Sequence, residues 1–201
     1  MSASDLLQVA LFLILLLVLS PPLGRFMAWL FEKPADRLER RFLRLIGAGD
    51  GSSMSWRTYT AAMLLFNLLG IVVVYLVQRT QAILPLNPAG MAAVPHDLAF
   101  NTAVSFVTNT NWQAYGGEST MSYFTQMVAL SVQNFCSAAT GIAIVVALIR
   151  GFAARTSGLI GNFWSDLWRA TCWILLPLSL VMALVLVSQG VVQTFAPYAA
   201  V

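Results

Sequence analysis

Hydrophobic residues fall along this chain in four long runs, at about residues 6–23, 60–78, 123–149 and 163–189, parted by polar, basic or glycine-rich stretches. Crossing about 30 Å of hydrocarbon takes roughly 20 apolar residues of helix, so each run predicts a membrane span. A fifth apolar run, between the second and third, is too short to cross and ends in the polar stretch Thr108-Asn109-Thr110-Asn111-Trp112-Gln113. A short helix going in, a compact polar strand coming out and flanking spans to bury both predict a re-entrant pore loop.

Pro95-His96-Asp97 reads as the start of that short helix, with Asp97 in its first turn. The dozen residues from His96 to Val107 rise about 18 Å, roughly half of the hydrocarbon. The carbonyl end of the helix would then point a partial negative charge toward a dehydrated cation. Six extended residues at about 3.3 Å each would return close to 20 Å, matching that depth. Carbonyls along such a strand can replace the hydration shell of a K⁺ ion, and no carboxylate lies in the stretch to hold a divalent ion. The candidate donors are Val107, Thr108, Asn109, Thr110 and Asn111. Gln113 completes the filter-like set, the amide side chains are expected to brace the strand, and Trp112 to pack it against neighbouring spans. A solvated polar turn is the alternative, and it leaves the apolar segment before it unexplained.

Along the third span, Gln126, Gln133, Asn134, Ser137, Thr140 and Gly141 fall at helical spacing on one side. Polar groups in a spanning helix are costly toward lipid, so this stripe predicts either a water-filled path or interhelical hydrogen bonds. In the fourth span Pro177 predicts a kink. Cys136 and Cys172 lie inside spans without a metal-ligand spacing and behave as small apolar residues.

Composition agrees: 59% of the 201 residues are hydrophobic, 9% are charged, and mean hydropathy is +0.78. This is an all-α integral membrane protein with four spans and one re-entrant segment. The first run is a retained anchor, since its leader carries Asp5 and Ser20-Pro21-Pro22 is a poor cleavage site.

Ten of the eleven basic residues gather on one side: Arg25, Lys33, Arg37, Arg40, Arg41, Arg44 and Arg57 in the first loop, Arg150, Arg155 and Arg169 around the third. By the positive-inside rule those loops are cytoplasmic, and both termini and the re-entrant loop face outside with Arg79, His96 and Asp97. The net charge of +3 therefore reflects topology, not nucleic-acid binding. Within the first loop, Leu38, Phe42, Leu45 and Ile46 lie opposite Arg37, Arg40, Arg41 and Arg44, predicting a basic amphipathic helix capped by Asp36. It suits anionic headgroups better than a cytoplasmic partner. The Gly47–Ser53 stretch lacks the Gly-Lys-Ser/Thr ending of a phosphate loop and reads as a flexible turn.

Residues 97–113, reading DLAFNTAVSFVTNTNWQ, resemble the first filter region of the KdpA family, the potassium-translocating subunits of bacterial Kdp ATPases. The likeness extends through Leu84-Pro85-Leu86-Asn87-Pro88, Ser122-Tyr123-Phe124, Val132-Gln133-Asn134-Phe135, Ser137-Ala138-Ala139 and Leu148-Ile149-Arg150, and covers effectively the whole chain.

The resemblance implies a member of the superfamily of K⁺ transporters in the bacterial inner membrane, with membrane-pore-membrane repeats following one extra span. Residues 1–24 would be that span, 25–58 the cytoplasmic loop with its basic helix, 59–150 the first repeat with pore helix and filter at about 96–113, and 151–201 a loop and the first span of an incomplete second repeat. It implies a K⁺ filter at Val107, Thr108, Asn109, Thr110, Asn111 and Gln113, supported or continued into a tunnel by Asn101, Ser105, Trp112, Gln126, Gln133 and Asn134. Four repeats surround one pore in the family, so the three remaining repeats are expected to complete it. The implied partners are a P-type ATPase subunit that hydrolyses ATP, an accessory subunit with an outer domain and a small single-span subunit. This chain carries neither an Asp-Lys-Thr-Gly phosphorylation signature nor a phosphate loop, so its expected role is non-catalytic. A homotetrameric pore-loop channel and a non-conducting assembly protein are the alternatives from other classes, with the unfinished second repeat weighing against the former.

Overall fold

A computed structural model describes residues 3–153 and 158–196, so Arg155 of the second basic loop lies outside the described residues. The chain forms two compact units, Met1–Arg37 and Leu38–Val201. The first holds α1, Ala3–Glu32, which runs through Pro21 and Pro22 without a break and extends past the expected residue 23. Each proline removes one backbone donor, and the Ser20 hydroxyl donates to Leu16 O on that turn at 2.5 Å. Apolar residues cover α1 on all sides, as suits a helix in lipid.

The second unit begins with α2, Arg37–Leu45, and then α3, Trp56–Thr80, whose first turn is capped by the Ser55 hydroxyl accepting from the Thr58 N–H at 3.3 Å. A 3₁₀ turn, Gln81–Ile83, ends that span. The short α4, His96–Val107, and a single turn α5, Gly117–Thr120, precede the third span, which opens with a π-helical segment, Thr125–Ser131, and continues as α6, Val132–Ala153. The fourth span joins α7, Phe163–Arg169, a second π segment, Ala170–Leu175, and α8, Leu176–Ser188. Pro177 has no N–H for the turn before it, and the wide turn stands directly N-terminal to it.

The fold is all-helical: among the described residues the only β-type pairing is a bridge between Ser55 and Leu159. Ser4–Glu32, Trp56–Ile83, Thr125–Ala153 and Phe163–Ser188 are long and apolar enough to cross a membrane. This is the all-α, four-span architecture read from the hydrophobic runs.

In the second unit α4 packs against α3 and α6. Ala99 and Ala103, one turn apart, are fully buried there with Val74, Phe106 and Met121. These small residues let the α4 backbone approach α3 closely enough for the buried Gln78 side chain to donate to both Val74 O and Ala99 O, at 3.0 and 3.1 Å. One end of the bundle is tied by backbone hydrogen bonds from Met54 N to Gly161 O and from Ile160 N to Met54 O, which brings the two basic loops together. The opposite end holds the loops around α4.

The basic helix α2 departs from its expected pose. Its fully buried residues are Glu39 and Leu43, while Leu38 and Leu45 are 63% and 87% exposed. Glu39 turns inward because Arg169 supplies two guanidinium contacts, its Nη2 at 2.9 Å and its Nε at 3.0 Å from Glu39 Oε1. Phe42 stacks on Trp168, ring centres 4.7 Å apart.

Candidate functional site

The polar stretch after α4 is a capped turn and coil, not the evenly extended strand expected. Thr108 ends α4 at φ −80°, ψ 0°, and Asn109 and Asn111 take left-handed conformations at φ 58° and 52°. Asn is among the few side chains that enter this region at modest cost, because its short amide can bond locally. The Asn111 amide does so, donating to Asn109 Oδ1 at 3.2 Å.

The left-handed Asn109 closes a Schellman cap. Asn109 N–H donates to Phe106 O at 3.3 Å and Thr110 N–H to Ser105 O at 3.1 Å. Ser105 O also accepts from Asn111 N–H and the Thr110 hydroxyl, and Val104 O accepts from the Thr108 N–H and hydroxyl. The last helical carbonyls are therefore occupied by the following residues, which leaves little of the dipole end that was expected to face an ion. Among the described residues no hydrogen bond ends on the backbone oxygens of Val107, Thr108, Asn109, Thr110 or Asn111. The next oxygen, that of Trp112, accepts from the Ser105 hydroxyl at 2.8 Å, which returns the chain along α4. Ala114 accordingly lines a hollow with Pro95, Asp97, Leu98 and Asn101, at the beginning of the same helix.

The remaining candidates separate by position. Ser137 donates to Asn109 Oδ1 at 3.3 Å, tying the third span to the left-handed turn. Gln133 is buried, with its Nε2 unpaired and its Oε1 against Gly70 beside Val107. A Cβ on Gly70 would stand 2.8 Å from that oxygen and 3.3 Å from Val107 Cγ2, so any larger residue here would displace the end of the Gln133 side chain. Asn101 Oδ1 is buried without a hydrogen-bond partner. Asn134 is exposed, Trp112 is 48% exposed and so does not pack the stretch as expected, and Gln113 donates to the Tyr115 hydroxyl, at 3.4 Å.

Gln126 does not share a face with Gln133. It donates to Gly117 O and Met121 O, at 3.2 and 2.9 Å, in the loop before the span. A seven-residue separation keeps two side chains nearly aligned on an α-helix, but the π segment between them has a wider turn and rotates them apart. The uniform polar stripe therefore divides into loop-binding Gln126 and a deeper group of Gln133 and Ser137.

Sequence reasoning passed over the residue that organises the whole loop end. Gln81 is fully buried and spends both ends of its amide: Nε2 donates to Ala92 O and Thr120 O, and Oε1 accepts from Ser122 N–H and the Thr125 hydroxyl, all at 2.6–3.1 Å. At the end of a span it reads as an ordinary boundary glutamine, and no local pattern marks it. Asn87 fixes the adjoining loop, accepting from Met91 N–H and donating to Met91 O, both at 2.9 Å.

The family described as Potassium-transporting ATPase A subunit, KdpA, matches residues 10–201. Proteins named potassium-transporting ATPase potassium-binding subunit from Paramagnetospirillum magneticum and Laribacter hongkongensis are each 57% identical over 97% of this chain, and one from Sorangium cellulosum is 56% identical over 97%. The chain covers 35%, 36% and 35% of their respective lengths, so it spans about a third of the curated relatives it matches. With a family match over nearly every residue and relatives above half identity, the chain belongs to the KdpA family.

Proposed function

We propose that residues 107–111 supply one wall of a K⁺ filter in the potassium-binding subunit of an ATP-driven uptake complex. The observation that carries this reading is the run of five consecutive backbone oxygens, Val107 to Asn111, that accept no hydrogen bond among the described residues, while the carbonyls before them and the Trp112 oxygen after them are engaged. Left-handed residues at Asn109 and Asn111 alternate with Thr110 between them. Alternation of this kind turns successive N–H groups to one side, here onto Ser105 O, and leaves the carbonyl oxygens on the other, where several can meet one dehydrated monovalent cation. Gln113, Asn101, Ser105, Gln133 and Asn134 act around that wall as bracing or path-lining groups, with Ser137 tied to its middle residue, Asn109, and Ser105 to Trp112 just after it.

Relatives carry the name potassium-binding subunit, which fits a role in selecting the ion rather than in phosphoryl transfer. In this reading K⁺ enters from the outer face of the bacterial inner membrane and passes to a P-type ATPase subunit, with an accessory outer-domain subunit and a single-span subunit in the complex. Three further repeats complete the ring of oxygens. Residues 59–150 form the first membrane-pore-membrane repeat, and the positive-inside rule turns both termini outward.

The test is K⁺-stimulated ATPase activity of a complex assembled from the pump subunits, this chain and the portion of the relatives' length it does not span. Asn111→Ala and Gln113→Arg should each raise the K⁺ concentration for half-maximal activity at least tenfold. An unchanged K⁺ response in both would remove the filter assignment.

A further inference from the structure

The side of α2 that does not pack inward carries two kinds of group that rarely stand together on a water-facing surface. Glu39 and Leu43 mark the buried side. About a third of a turn away along the circumference stand Leu38 and Leu45, 63% and 87% exposed, and beyond them the exposed Arg41 and Arg44. Glu39, the helix's one acid, is held by Arg169, so its charge is spent inside the protein. The arginine side thus keeps a net positive field: Asp50 shares a hollow with Arg40 and Arg44 on one flank, and Arg44 Nε donates to Arg40 O at 3.2 Å.

A hollow of about 370 Å³ lies where the two zones meet, lined by Arg41, Arg44 and Leu45. We infer that this hollow binds the headgroup of an anionic phospholipid, with Arg41 and Arg44 on the phosphodiester and Leu45 against the glycerol and first acyl carbons. Charge complementarity selects an anionic headgroup over a zwitterionic one. The exposed leucines select a lipid over a free phosphate or a hydrophilic acidic peptide, because neither would cover them. The arrangement is that of an interfacial helix, apolar flank down and guanidinium groups at phosphate height. Docking by Glu39 and Phe42 holds that pose before any lipid arrives.

The assembled complex in a neutral detergent, titrated with phosphatidylglycerol or phosphatidylcholine and read by native mass spectrometry, tests this. The wild type should retain at least one more phosphatidylglycerol than phosphatidylcholine. Each basic residue near an anionic surface contributes about a fivefold factor in affinity, so R41Q/R44Q should weaken that retained lipid by about thirtyfold. The control R57Q, an exposed arginine on α3 lying over Trp56, should leave it in place. Inorganic phosphate at millimolar concentration should not displace it. Equal loss with R57Q, displacement by phosphate, or loss of a co-purifying protein with the lipid count unchanged would each overturn the inference. Melting temperatures of the variants, expected to match wild type, separate lost binding from lost folding.

Discussion

Asp166 receives two guanidinium hydrogen bonds from Arg150, at 2.7 and 3.0 Å, and a third from the Tyr59 hydroxyl at 3.1 Å. Three segments, α3, α6 and α7, meet on this one carboxylate, with Tyr59 reaching it from 107 positions away. Its side chain is 1% exposed against 27% for Arg150. Removing one partner of such a buried pair strands the other charge, at about 3–5 kcal/mol. Asp166→Asn and Arg150→Met should each lower the detergent melting temperature markedly, while Arg150→Met with Asp166→Leu should recover much of the loss. Additive losses in the double variant would show that the pair is not coupled.

Asn109→Gly and Asn109→Ala separate backbone from side chain. Both delete the acceptor used by Ser137 and Asn111. Only alanine also meets the left-handed penalty, about 1–2 kcal/mol relative to a right-handed conformation. The glycine variant should fold with near-native stability but bind K⁺ more weakly, and the alanine variant should lose stability as well. Thermal shifts with and without K⁺ measure both terms.

Gly70→Ala should weaken K⁺ binding despite the better helix former. Replacing glycine in a helix gains about 1 kcal/mol in propensity, but the new methyl group would push Gln133 and Val107 apart. Melting temperature should change little while the K⁺ response shifts severalfold. Gly70→Ala combined with Gln133→Ala should relieve the crowding, and failure to do so would place the effect elsewhere.

Gln81→Leu keeps the volume of the side chain but strands four partners, two of them, Ser122 and Thr125, buried. Net hydrogen bonds contribute about 0.5–1.5 kcal/mol each, with a larger cost where a buried group is left unmet. A loss of about 3 kcal/mol in total is expected on that scale. Hydrogen exchange should rise in residues 84–95 and 117–125 ahead of the rest of the chain. Uniform acceleration would mean that Gln81 supports the fold globally rather than this end.

The four spans and α4 were legible because each is a long or sharply bounded apolar run, and length against bilayer thickness decides such cases. The resemblance carried the family through contiguous residues such as 97–113. Hidden were features set by tertiary partners: the inward turn of Glu39 depends on Arg169, 130 positions away, and Gln81 depends on acceptors from two loops. The conformation of residues 108–113 was half legible. Asn residues at 109 and 111 permit left-handed backbone, but the pattern of polar positions alone suggested plain extension.

The π segment at the head of the third span sets two jobs apart in one helix. Gln126 faces the loop and Gln133 faces Gly70 because Thr125–Ser131 turns more widely than an α-helix. Such a turn holds more backbone per revolution, so it behaves as an absorbed one-residue insertion. Deleting a single residue there would leave α6 intact yet dial its side chains around the axis, carrying Ser137 away from Asn109. The head of the third span thus works as a vernier for the polar groups that follow it, and length changes at this point should be tolerated far less well than in the loops.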